Sequence, residues 1–92
     1  MSYYKARECY IHRKIADDEF LVPVGEQALK NNGIVMLNET AAFLHDKLKS
    51  KQTIAELCEA LMQSYDIDRE SAEKDVSEFL DFLLSIEAAE EI

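Results

Sequence analysis

Residues 33–48, GIVMLNETAAFLHDKL, pass from a strand pattern into a helix pattern with no loop between them, and this junction restricts the fold more than any other stretch. Ile34 to Leu37 is a short apolar run. From there Leu37, Ala41, Leu44 and Leu48 recur at helical spacing on one face. Asn38 stands at the joint, a residue type whose side chain accepts a hydrogen bond from the first turn of a helix. A strand locked to a helix in this way, with Gly33 behind it, forms a rigid corner. The chain upstream must pair with the strand, and the chain downstream must cover the helix.

Two strands are expected upstream. Tyr10 to Ile15 alternates apolar and polar residues, and Phe20 to Val24 is a nearly continuous run of strand formers. Ala16-Asp17-Asp18-Glu19 between them has the Asx chemistry that reverses a chain, so the pair reads as an antiparallel hairpin. Pro23 lacks a backbone N–H and belongs at a strand end or with its nitrogen turned from a partner. Gly25 to Gly33 is read as the longest connection, with a turn at Asn31-Asn32-Gly33.

Downstream, the first helix runs to about Lys49 and is closed by Ser50-Lys51-Gln52. Thr53-Ile54-Ala55-Glu56 is a capping box that opens the second, whose core stripe is Ile54, Leu57, Cys58, Leu61 and Met62. Tyr65-Asp66-Ile67 connects it to a third helix, with Asp68 as N-cap, that continues to about Ile86. The tail from Glu87 to Ile92 extends that helix or frays. The third helix carries more apolar surface than one core uses: its apolar residues fill an arc of roughly 200°. Ala72, Val76, Leu80 and Leu83 suffice to pack on the other helices. Phe79, Phe82 and Ile86 are left as a second ridge, which either packs on the sheet, meets a second copy of the chain, or forms a ligand groove.

Ninety-two residues are read as one domain, residues 1–92, too small for a large enzyme cavity. A hydrophobic content of 48% argues for a folded chain. There is no apolar run of membrane-crossing length and no signal-peptide pattern at the start, so a cytoplasmic location without membrane contact is expected. The net charge of −9 is uneven: residues 1–51 carry 8 positive and 7 negative side chains, and residues 52–92 carry 2 and 12. Nucleic-acid binding requires clustered Lys and Arg, so an acidic chain points instead to a protein or peptide partner. Cys9 and Cys58 read as reduced thiols, and with His12 and His45 they are too few and too scattered for a metal site. No cofactor is expected.

The run LNETAAFLHDKLKSKQTIAELCEAL resembles the signature of PqqD-like domains, the recognition elements that bind leader peptides of ribosomally made, post-translationally modified peptides. Leu37-Asn38, Ala41-Ala42 and Thr53-Ile54-Ala55-Glu56-Leu57 match the family pattern, and SAEKDVSEFLDFL is similar to its final helix through Asp75-Val76 and Phe79-Leu80. His45 stands where the family usually has Trp, and Ser50 where it usually has Gly. The resemblance covers about residues 10–88 and implies an α+β, winged helix-turn-helix-like fold, a three-stranded antiparallel sheet followed by three helices. It further implies a non-catalytic peptide chaperone that takes a leader peptide as an added strand and presents it to a modifying enzyme, typically a radical SAM maturase. The implied docking edge is Ile34, Val35, Met36 and Leu37. The ridge of Phe79, Phe82 and Ile86 would receive apolar leader side chains, and Asp75 with Glu78 would favour basic ones.

Four other readings are weighed against this. A winged-helix transcription regulator would need Lys or Arg along an exposed recognition helix, and the candidates carry Glu56, Glu59, Glu70, Glu73, Asp75, Glu78 and Asp81 instead. For catalysis, His12 is expected on a strand facing water or a partner and His45 at a helix rim. Neither has an evident nucleophile or orienting carboxylate, and Gly25 and Gly33 do not make a phosphate loop. A carrier protein lacks a serine placed at a helix start for a prosthetic arm. Another protein-interaction adaptor remains as the other non-catalytic reading.

Overall fold

The computed structural model describes residues 2–30 and 33–92. Asn31 and Asn32, expected in a turn, lie outside these. Strands β2 (Tyr10–Ile15) and β3 (Asp18–Pro23) form the expected hairpin, with Tyr10 opposite Pro23 and Ile15 opposite Asp18. The reversal is tighter than the four residues expected: only Ala16 and Asp17 lie between the strands, and Ala16 takes a left-handed φ of 57°. Pro23 ends β3, where its missing N–H costs least. Strand β4 (Val35–Leu37) pairs antiparallel with β3, giving the sheet order β2-β3-β4.

The corner is built as the junction sequence dictates. Asn38 is extended (φ −78°, ψ 176°), and its side chain accepts from the Ala41 N–H at 2.8 Å, so β4 enters helix α2 (Glu39–Lys47) without an intervening loop. Helix α3 (Ile54–Ser64) begins at the complete capping box: Glu56 N–H donates to Thr53 Oγ1 at 3.1 Å and Thr53 N–H to Glu56 Oε1 at 2.8 Å. Asp68 caps helix α4 (Arg69–Ser85) through the Ser71 N–H at 2.8 Å. Leu44 and Leu48 from the α2 side, Leu57, Cys58 and Leu61 from α3, and Ala72, Val76, Leu80 and Leu83 from α4 close over Leu21 and Leu37 of the sheet to make the core. Cys58 is a buried free thiol, and burial pushes its pKa up, so it is a packing residue.

Three elements depart from the sequence reading. The connection after Gly25 holds a short helix, α1 (Glu26–Lys30), whose Gln27 is buried. The polar start contains strand β1 (Tyr4–Ala6). The tail neither extends α4 nor frays, but forms β5 (Ala89–Glu91), antiparallel to β1 with Lys5 opposite Glu90. The reversal between α4 and β5 is a Schellman-type cap: Ala88 N–H donates to Leu83 O at 2.7 Å, Glu87 N–H to Leu84 O at 3.2 Å, and Glu87 is left-handed at φ 61°. β1 is also stitched to the segment between α2 and α3, since Ala6 N–H donates to Leu48 O and the Tyr4 and Gln52 backbones exchange hydrogen bonds.

Candidate functional site

Among the described residues β4 has a strand partner on one side only. Its register places Leu37 opposite Glu19, Met36 opposite Phe20 and Val35 opposite Leu21, while its other edge has no strand partner among the described residues. Exposure alternates as the pleat requires: Leu37 is buried, Val35 is half-buried, and Met36 is 67% exposed. Ile34 lies just ahead of the strand and is also exposed. An edge of this kind presents backbone N–H and C=O groups to an incoming extended chain.

Beside the end of β4 is a cleft of about 260 Å³ between α2 and α4. Asn38, Thr40, Ala41 and Leu44 line one wall, and Asp75, Glu78, Phe79 and Phe82 the other. Phe82 is 40% exposed, whereas Phe79 is half-buried and packs partly on the core. Asp75 and Glu78 are exposed, and no Lys or Arg lines the cleft, so its field favours a cationic or neutral occupant. Asn38 belongs to both features, capping α2 and leading out of β4. The structure thus gathers Asp75, Phe79 and Phe82 in one cleft and connects it to the β4 edge through Asn38.

Ile86 is placed elsewhere. It is the C-cap of α4 and lines a separate hollow with Gln27, Lys30, Ser85 and Glu87. Its carbonyl accepts from the Tyr10 hydroxyl at 3.0 Å and from Gln27 Nε2 at 3.2 Å, tying α1 and β2 to the end of α4. The cleft wall formed by Thr40, Ala41 and Leu44 had no separate signal in the sequence, because Ala41 and Leu44 share the helical spacing of core residues.

The histidines differ from expectation. His45 is not at a helix rim but buried, 4% exposed. Burial, aided by the nearby charges of His12 and Lys49, lowers its pKa to about 4 against a smaller opposing effect of Asp46. His12 is half-buried, and its Nε2 lies 3.0 Å from Glu19 Oε1, a diagonal pairing across β2 and β3. The two imidazoles meet edge to face, with centroids 5.5 Å apart. His12 therefore has an orienting carboxylate that linear spacing did not reveal. Among the described residues no group of three or more His, Cys, Asp or Glu side chains could hold a metal ion. No helix among them is long and apolar enough to cross a membrane.

An antiparallel three-stranded sheet whose last strand feeds a helical layer defines a winged-helix-like α+β domain. Residues 24–87 match the family described as Coenzyme PQQ synthesis protein D (PqqD), and the chain belongs to that family. It is also similar to a solved structure described as "TbiB1 in Complex with the TbiA(beta) Leader Peptide", with 22% sequence identity, 94% of each chain covered and a TM-score of 0.75. At that identity the likeness establishes the shared fold. No curated protein matches the chain.

Proposed function

We propose that this domain binds the leader segment of a ribosomally made precursor peptide as an additional strand on β4 and presents it to a modifying enzyme, without catalysing a reaction itself. The observation that carries the reading is the edge of β4 that has no strand partner among the described residues and runs through Asn38 into a cleft walled by Phe79 and Phe82. Main-chain hydrogen bonds to Val35, Met36 and Leu37 supply affinity that does not depend on sequence, and the phenylalanines select apolar leader side chains. Asp75 and Glu78 favour basic positions beside them. Membership of the PqqD family supports the same reading, as does the likeness to TbiB1, a protein solved in complex with a leader peptide. A radical SAM maturase is the enzyme class that this family implies, and the cytoplasm is where the partners would meet. A DNA-binding role fits less well, because α3 and α4 expose Glu56, Glu59, Glu70, Glu73, Asp75, Glu78 and Asp81.

The test is an amide-shift titration of the labelled chain with the leader peptide encoded beside it. Saturable shifts at Ile34 to Leu37 and around Phe79 and Phe82 are expected, and unchanged shifts along β4 would refute strand addition. Phe82→Asp is expected to weaken binding about thirtyfold, as loss of a buried aromatic anchor does. Because Phe82 is partly exposed, the variant keeps its fold.

A further inference from the structure

A second cleft, of about 440 Å³, lies along β2, the strand at the opposite edge of the sheet from β4. Its chemistry is the reverse of the first. Lys5, Arg7 and Lys49 line it against a single carboxylate, Glu8, in a chain whose net charge is −9. Lys49 Nζ lies 3.0 Å from the exposed Asp46, whereas Lys5 and Arg7 make no ion pair within 4.0 Å among the described residues, although Glu90 stands opposite Lys5 on β5.

His45 lines the same cleft and supplies a second, independent observation. It is 4% exposed, yet neither Nδ1 nor Nε2 has a hydrogen-bond partner among the described residues. His12, the ring against it, has its Nε2 directed to Glu19 and approaches His45 edge to face. A neutral imidazole always carries one N–H, and burying that donor unmatched is costly, so a polar group exchanged for it is strongly favoured. A group that accepts from an N–H and is attracted by three cations is an oxyanion.

We propose that this cleft is a carboxylate-binding site, in which a ring N–H of His45, covered in the empty cleft, is uncovered by a small shift of the lining and donates to the carboxylate, while Lys5, Arg7 and Lys49 hold its charge at the mouth. One charged oxyanion group, and no more, suits three cations already opposed by Glu8, Asp46 and Glu90. The carboxylate comes either from a small free acid or from an acidic side chain of a partner polypeptide. This inference does not rest on the leader-peptide reading, because it uses the other edge of the sheet and none of the residues assigned to leader binding.

The test follows the ring nitrogens of His45 by nitrogen-15 NMR in the full chain at neutral pH. The probes are sodium glutarate and N-acetyl triglutamate amide, with sodium chloride at matched ionic strength as the control. Both carboxylates are expected to move the His45 ring signals saturably, and chloride is not. Tighter binding of the triglutamate identifies a polypeptide source, and tighter binding of glutarate a free acid. The Lys5→Ala/Arg7→Ala double variant should lower the affinity about tenfold while amide shifts elsewhere stay in place. Lys49→Ala should lower it independently. A ring response that follows ionic strength equally for chloride and carboxylate, or one that persists unchanged in these variants, would overturn the proposal.

Discussion

His45 shows how far burial moves the behaviour of one residue. In the unfolded chain its imidazole titrates near the ordinary value of 6.5; in the fold, burial first, then His12 and Lys49, lower it to about 4 despite Asp46. The folded state therefore refuses a proton that the unfolded state accepts between these values. Stability from this group is complete above about pH 6.5, falls as the pH drops towards 4, and declines no further below it. The loss is on the order of 3 kcal/mol at most, from about 1.4 kcal/mol per unit. Urea midpoints measured from pH 7 down to pH 4 should fall in wild type, and His45→Leu should flatten that fall. An equally steep fall in the variant would place the titration elsewhere. The sequence located His45 on its helix but not its burial, because the ring of His12 on β2 packs against it and that contact joins residues far apart in the chain.

Among the elements, the three long helices were legible from start to end within about two residues, and the strand that follows the last of them was not. Asn38, Thr53 and Asp68 each cap the helix they were expected to open, since an N-cap is a bond between residues three apart and its chemistry is written locally. Thr53→Ala is expected to cost about 1 kcal/mol, read as a lowered thermal midpoint, because it removes the acceptor for Glu56 N–H in a buried cap. No change in the midpoint would mean that solvent replaces the bond. The end of α4 carries no such sign. Its left-handed position is Glu87 where Gly or Asn would announce the stop, and the next strand is Ala89-Glu90-Glu91, residue types that strands disfavour. The same weakness hid α1, which is too short to display a period.

At the scale of the whole molecule, the β1–β5 pair closes the helical layer. β1 lies between β5 and the segment joining α2 to α3, with Arg7 N–H donating to Ala88 O and Ala6 N–H to Leu48 O. Ala88 is fully buried at this seam, so Ala88→Asp places a charge where nothing can pair it, and a loss of about 3 kcal/mol or more is expected in denaturant unfolding. Glu90→Ala, an exposed change two residues on, should stay within about 0.5 kcal/mol. Equal effects would mean that the seam is not closed in solution.

The sequence by itself determined what depends on neighbours a few residues apart: the hairpin, the strand-to-helix corner at Asn38, the three capped helices, and the excess of apolar residues on the last of them. Tertiary structure decided which of those residues are covered. It kept Phe82 partly open in a cleft with Asp75 and Phe79, drew Ile86 away to a hollow where Tyr10 and Gln27 hold its carbonyl, and paired Tyr4 with Glu91 across nearly the whole chain. Local patterns record a residue's own periodicity and caps. They cannot record a contact whose partner lies in a distant segment, and the covered or open state of a face is the sum of such contacts.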